Sequence, residues 1–231
     1  MPKGYRDNRE LIRTRQDLVK ISTLLKNRVH DMLEKKNYRF VKSDLFGIEG
    51  RRFITKLIFS ETETMIIDNL LGAFDKVHSE IKGLDREIKT RGKNIPEVKL
   101  LMALPGIGIT TAFLLTYEIG DINRFPTPKH FTSYLGLVPS INQSADHKYL
   151  GRITKLGNPL VRWSLVQTAH RIVRTDKRAQ RFFNRLSYKT GRKKAIVAVA
   201  RKLAVGTYFT LKLKIPADLS RLFGNPASIP C

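Results

Sequence analysis

The chain has 231 residues, 43 lysines and arginines against 20 acidic residues, a formal net charge of +23, and 42% apolar with 27% charged residues. These proportions exclude an intrinsically disordered chain, and no apolar run reaches the roughly 18 residues that a membrane span needs. The N-terminus MPKGYRDNRE lacks the apolar core of a signal peptide, and a single cysteine, Cys231, excludes a disulfide framework and fits a reducing cytoplasm.

Most of the excess charge lies in the second half. Between Ser144 and Lys214 there are eighteen lysines and arginines, opposed only by Asp146 and Asp176. Such a patch attracts polyanions and steers their approach, so nucleic acid is the favoured partner over a membrane surface or an acidic protein.

Residues 8–36 read as a helix, with Leu11, Leu18, Leu25 and Met32 seven apart and Val19 and Val29 widening the stripe. Residues 37–60 are less regular: Asp44-Leu45-Phe46-Gly47 with Gly50 reads as a turn, and Arg52 to Phe59 as a short helix or a strand. In residues 61–91, Ile67, Leu70, Phe74, Val77, Ile81, Leu84 and Ile88 alternate three and four apart. That spacing keeps one apolar seam against a partner helix, as in a coiled coil. The partner is either residues 8–36 of the same chain or a second copy, which would make the arm a site of homo-oligomerisation. Gly92 to Pro96 ends the helix and marks a linker.

Leu104-Pro105-Gly106-Ile107-Gly108 is a tight turn between two helical patterns, Glu97–Ala103 and Thr110–Ile119. Proline pushes the residue before it out of the α region, and the glycines permit positive φ and close approach. Two readings stand side by side. In a helix-hairpin-helix the amides around Gly106, Ile107 and Gly108 hold a nucleic-acid phosphate at the helix N-terminus. In a plain αα-hairpin the glycines only let two helices pack.

Thr127-Pro128 starts a further helix ending near Gly136, and Asn158-Pro159 starts another running to about Arg174. Asp176 caps the next, to about Tyr188. Gly191 precedes a helix from Lys193 to Lys212, whose Ile196 to Ala204 run is core. Between Gly136 and Gly157 the chain reads as a polar loop, and from Pro216 as an irregular tail. Trp163 and Phe182-Phe183 interleave with arginines and read as platforms for stacking bases or as core; core is the preferred reading, with the single tryptophan buried. The fold class is therefore mainly α. It divides into a two-helix coiled-coil-like arm over 1–95, a domain with the helix-hairpin-helix pattern over 96–215, and a tail over 216–231.

Taken together, Leu104–Gly108, Gly120-Asp121, Arg124-Phe125, Gly136-Leu137-Val138-Pro139, Ser144 and the run from Gly151-Arg152-Ile153-Thr154-Lys155 to Gly157-Asn158 form an ordered series. The series resembles the C-terminal domain of a family of bacterial and archaeal insertion-sequence transposases, the DEDD-type recombinases that work with a bridge RNA. The resemblance implies that Ser144 is the nucleophile that attacks a DNA phosphodiester and forms a phosphoserine intermediate. It implies DNA and a guide RNA as partners, and a multimeric enzyme. Lys148, Arg152 and Lys155 would hold the phosphate, with Arg162 a further nucleic-acid contact. Read on its own, a loop serine is a solvated turn residue. His147, three residues on, reads as a base or as a solvated loop residue. Where the family commonly has Ser-Gly, this chain has Ser144-Ala145.

The family's N-terminal domain binds Mg²⁺ through four acidic residues, and the resemblance begins only after it. Asp7, Glu10, Asp17 and Asp31 lie on or beside a helix rather than on strands, so no metal ligand or cofactor is assigned to this chain. The five histidines are scattered, none at ligand spacing with a cysteine or glutamate. The reading is thus the arm and C-terminal portion of a transposase. Its alternatives are a catalytically inactive nucleic-acid-binding remnant and a structural RNA-binding protein.

Overall fold

Ten α-helices and one β-hairpin make up the described part of the chain, which is mainly helical, as the sequence indicates. The structure, a computed structural model, describes residues 3–144 and 147–224, and of residues 3, 141–144 and 147–150 the backbone alone. Ala145, Asp146 and Cys231 lie outside the described residues. None of the described helices is long and apolar enough to cross a membrane. The chain separates into two compact units. One is Glu10–Glu87; the other joins the start of the chain, to Arg9, with everything from Ile88 onward.

Within the unit Glu10–Glu87, most of α1 (Lys3–Lys35) runs antiparallel to α3 (Glu61–Gly92). The direction follows from two ion pairs, Arg15 with Asp85 at 3.0 Å and Lys36 with Glu63 at 2.7 Å, which link opposite ends of the two helices. Ile67, Phe74 and Ile81 are buried seven apart on α3. The partner of this seam is therefore residues 10–35 of the same chain. On α1 the deepest side chains are Val29, as expected, and Ile12 and Leu33, one position on from Leu11 and Met32; Leu11, Leu18, Leu25 and Met32 lie half-buried beside them.

The segment left open by the sequence resolves as a helix, α2 (Ile48–Thr55). The Asp44 carboxylate accepts from the amides of Phe46 and Gly47, turning the chain into it. Gly50 then passes so close to Leu45 that an added Cβ would meet the Leu45 carbonyl oxygen at 2.0 Å. Leu45 and Ile54 pack with Val29, Leu33, Ile67 and Leu71 as one cluster. α3 starts on a capping box: the Ser60 hydroxyl accepts from the Glu63 amide at 3.2 Å, and the Ser60 amide donates to the Glu63 carboxylate at 2.8 Å.

In the second unit, α4 (Pro96–Met102) and α5 (Ile109–Ile119) form an αα-hairpin. They are followed by α6 (Pro128–Tyr134), α7 (Pro159–Thr175), α8 (Lys177–Thr190) and α9 (Arg192–Leu213). α9 packs against α4, α6, α7 and α8, and Ala195, Val199, Ala200, Leu203 and Ala204 are fully or almost fully buried along it. α5 is buried along nearly its whole length, Ala112 to Ile119.

Capping sets the starts of these helices as the sequence indicates. The Thr127 hydroxyl accepts from the His130 amide, Asn158 from the amides of Leu160 and Val161, and Asp176 from those of Arg178 and Ala179.

Three expectations need correction. The stretch read as a polar loop holds a β-hairpin, β1 (Pro139–Ser144) paired antiparallel with β2 (His147–Ile153). Its alternation is weak because few of its residues are apolar, so periodicity did not reveal it. The start of the tail is a packed helix, α10 (Leu219–Phe223), capped by Asp218 and burying Leu219, Leu222 and Phe223. Gly206 makes room for it, since an added Cβ there would lie 2.6 Å from Leu222. Trp163 is 50% exposed, because it falls on the side of α7 opposite Val161, Leu165 and Ala169.

The first turns of α1 belong to this second unit. The Tyr5 hydroxyl donates to the Thr116 carbonyl at 2.5 Å, and its ring meets Tyr117 edge-on at 4.8 Å. Burial pushes the Tyr5 hydroxyl up to about 12. A phenol raised above its unfolded value keeps its proton in the fold while the unfolded chain loses it, so stability falls as pH rises from about 10 to about 12. Burial raises Tyr117 as well, so an ultraviolet tyrosinate titration is expected to show two phenols ionising later than the exposed ones, Tyr5 among them. Loss of one of the two in Tyr5→Phe checks the assignment.

Candidate nucleic-acid interface

The turn between α4 and α5 is built on Leu104, wholly buried, and Ile107, 5% exposed, with the Ile107 amide donating to the Leu104 carbonyl at 3.1 Å. Gly106 has φ +84°, and a Cβ on it would meet the Thr168 carbonyl and methyl at 3.4 Å and Arg171 Cβ at 3.5 Å. The positive φ is what this position asks of a glycine, and a Cβ there would make only ordinary contact with α7. Gly108 is different. It is exposed, with nothing within 4 Å of an added Cβ, and it begins α5 without a side-chain cap. The amide end of α5 is open there.

Gly120-Asp121 and Arg124-Phe125 tie down the other end of α5. Gly120 leaves the helix at φ +72°, and the Asp121 carboxylate accepts from the Asn123 amide at 2.9 Å. Arg124 donates to the Ile119 carbonyl at 3.1 Å, completing the negative end of the helix dipole. Its guanidinium lies 4.6 Å from both the Phe125 and Tyr134 ring centroids. Tyr208 of α9 donates to the carbonyls of Phe125 and Pro126. These residues build the scaffold.

The two remaining segments of the series form a single structural unit. Pro139 pairs with Ile153, the Thr154 amide donates to the Val138 carbonyl at 3.0 Å, and the Lys155 amide donates to the Gly136 carbonyl at 3.4 Å. Two glycines let the strands of chain cross here. A Cβ on Gly136, at φ +65°, would lie 2.3 Å from the Leu156 carbonyl. One on Gly157, at φ +93°, would lie 1.7 Å from the Tyr134 carbonyl. Gly136-Leu137-Val138-Pro139 and Gly151 to Asn158 are thus the two halves of the base of the β-hairpin.

That base is anchored to the core. Asn158 caps α7 through its side-chain oxygen and donates through its amide nitrogen to Glu118 at 2.5 Å; Glu118, on α5, is only 2% exposed. Arg162 of α7 donates to the Leu135 carbonyl at 3.0 Å.

The candidate site residues are distributed along this frame. Ser144 ends β1, opposite His147, with Lys148 one pair away opposite Gln143. The side chains of Ser144, His147 and Lys148 lie outside what the structure describes. Arg152 and Lys155 are exposed at the hairpin base, Lys155 in the left-handed region at φ 56°. By strand rise, Arg152 stands roughly 16 Å along the hairpin from the Ser144 level. Ser144 and Lys148 are thus brought together at one end, and Arg152, Lys155 and Arg162 at the other. The Gly106–Gly108 turn meets α7 at Thr168, roughly 9 Å along the helix axis from Arg162.

Sequence reading did not single out the Glu118–Asn158 link. Its only signal was an acidic residue inside an otherwise apolar helix. Among the described residues no group of three or more His, Cys, Asp or Glu is placed to hold a metal ion.

The solvent side of the second unit is basic. Arg171 and Arg174 of α7, Lys177, Arg178, Arg181, Arg185 and Lys189 of α8, and Arg192, Lys193 and Lys194 of α9 are all at least partly exposed.

Comparison with known proteins agrees with this frame. Residues 98–184 match the family described as Transposase IS116/IS110/IS902. The transposase for insertion sequence element IS1111A of Coxiella burnetii is 25% identical over 212 residues, 86% of this chain and 56% of that protein. A probable family 20 transposase of Pseudomonas aeruginosa is 28% identical over 50% of this chain and 36% of its own length. A pilin gene-inverting protein of Moraxella bovis is 34% identical over 60% of this chain and 45% of its own length. The chain spans from under a fifth to just over half of the length of the curated relatives it matches.

Proposed function

With residues 98–184 matching a transposase family, we propose that this chain is the arm and C-terminal portion of an insertion-sequence transposase. In this reading it binds DNA and a guide RNA by backbone contacts and supplies Ser144 as the nucleophile for strand cleavage and exchange. One observation supports it above the others: the two sequence segments on either side of Ser144 are interlocked at Gly136 and Gly157. They form one base for the hairpin that carries this serine.

In the step proposed, the Ser144 hydroxyl loses its proton to a base and forms a bond to the phosphorus of a DNA phosphodiester. The bond from phosphorus to one deoxyribose oxygen breaks, and that oxygen leaves after taking up a proton. Lys148 would stabilise the charge that develops on the phosphoryl oxygens, and the open amide end of α5 at Gly108 would hold a backbone phosphate further along. Mg²⁺ would be bound by a separate acidic domain of the complete enzyme. The enzyme would act as a multimer.

The test is Ser144→Ala in the chain joined to such an acidic domain. Strand exchange is expected to be abolished while DNA affinity stays within about threefold, since only one hydroxyl is removed. Recombination by the mutant at the wild-type rate would remove Ser144 from the mechanism. A second reading, nucleic-acid binding without catalysis, is favoured by Ala145, which allows less backbone freedom than the glycine that commonly follows the serine. It predicts salt-sensitive binding and no covalent protein–DNA adduct under any metal condition.

A further inference from the structure

On the outer side of α8, Arg178, Arg181 and Arg185 are spaced three and four apart and so share one face of the helix. With Phe182, Phe223 and Gly224 they line a cavity of 280 Å³. Its floor is apolar: Phe182 meets Phe223 of α10 edge-on at 5.8 Å, and Phe223 is 7% exposed. The Arg185 guanidinium lies 5.7 Å from the Phe182 ring centroid, and the Lys202 ammonium of α9 lies 5.1 Å from it.

The charges around this cavity are poorly balanced. Asp176 approaches Arg178 only to 3.8 Å, and its other oxygen is committed to capping α8. Asp218, held by Ser220, is the other acid that feels Arg178. Among the described residues, neither Arg181 nor Arg185 has a carboxylate partner. Lys202 is spent on the Leu222 carbonyl at 2.5 Å. Its ammonium is pushed below the usual lysine range by burial and then by Arg185.

We propose that Arg178, Arg181 and Arg185, over the Phe182–Phe223 floor, form a phosphate-binding pocket that takes a backbone phosphodiester of a nucleic acid. Guanidinium groups match phosphate oxygens in pairs, and an apolar floor keeps water from screening them. The partner is a polyanion rather than a single acid because the charge does not stop at the pocket. Arg171 and Arg174 at the end of α7 and Arg192, Lys193 and Lys194 at the start of α9, the helices that precede and follow α8, are exposed as well. This inference rests on the nucleic-acid reading above. It adds a second contact region, on α8 and α10 rather than on the hairpin.

The test uses the whole chain with short labelled single-stranded DNA and RNA, and polyglutamate as a third arm. Arginine modification by phenylglyoxal, mapped by peptide mass spectrometry, is expected to fall at least severalfold at Arg181 and Arg185 when an oligonucleotide is bound. Exposed Arg39, in the other unit, should stay reactive. Arg181→Gln/Arg185→Gln is expected to weaken binding about tenfold at moderate salt. It should also flatten the slope of log affinity against log salt by about 0.7 for each phosphate that the variant no longer neutralises. Protection by RNA but not DNA, or the reverse, would identify which nucleic acid supplies the phosphate.

If the wild type binds oligonucleotides but the arginines stay reactive and the variant keeps its salt slope, the pocket is refuted and the nucleic-acid reading stands. If the wild type binds neither oligonucleotide, both fall. Stronger protection by polyglutamate would assign the pocket to an acidic peptide and overturn the proposal.

Discussion

Gly157→Ala is expected to lower stability by about 3–5 kcal/mol. Gly157 has φ +93°, where an L side chain is strained by about 1–3 kcal/mol, and its Cβ would stand 1.7 Å from the Tyr134 carbonyl oxygen. That neighbour is backbone at the end of α6, so it cannot swing aside as a side-chain tip would. Relief requires moving either α6 or the start of α7, a displacement of the kind that costs about 1–3 kcal/mol in packed protein. For a chain of this size the loss corresponds to a fall in melting midpoint on the order of 10 °C. Gly72→Ala is the control. Nothing lies within 4 Å of an added Cβ there, it is inside α3, and alanine should raise stability by about 0.5–1 kcal/mol. Calorimetry that finds the two variants alike would remove the interlock from the account of the hairpin base.

The second large effect is Asn158→Ala, expected to lose about 3 kcal/mol. Its side-chain oxygen accepts from the Leu160 and Val161 amides, a cap worth about 1 kcal/mol, and its side-chain nitrogen donates to Glu118 at 2.5 Å. Glu118 is 2% exposed, and a hydrogen bond to a charged group contributes about 1.5–3 kcal/mol. Serine separates the two contributions, since Asn158→Ser keeps a capping oxygen but is too short to reach Glu118. It should recover about 1 kcal/mol relative to alanine. Denaturant unfolding of the two variants, with Glu118→Gln to close a double-mutant cycle, measures the coupling. A coupling energy near zero would mean that the hairpin base is not tied to α5 through this pair.

Both residues stand in the stretch that the sequence already set apart, yet neither the Gly157 crossing nor the Asn158–Glu118 link was legible there. Asn158-Pro159 was readable as a helix start because a cap acts on amides two and three residues away. Glu118, forty residues back, was not part of that local signal. Trp163 makes the same point in the opposite direction. An aromatic among apolar residues suggests core, but its position on α7 turns it away from Val161, Leu165 and Ala169 and leaves it half exposed. Gly106 carried two readings, and its positive φ serves both, while Gly108 begins α5 without a side-chain cap.

What the sequence by itself determined was local. It set the helical class, the antiparallel-capable seam of α3, the starts of α6, α7 and α8, and the net positive charge, because caps, proline geometry and 3.6-residue periodicity act within a few residues. Only the tertiary structure decided the rest. It determined that α1 of the same chain meets the α3 seam, that the stretch around Ser144 is a hairpin, and that Gly136 and Gly157 cross. It also placed three arginines of α8 over an apolar floor completed by α10. Each of these depends on which backbone or ring from a distant part of the chain arrives at the position, and no local pattern carries that information.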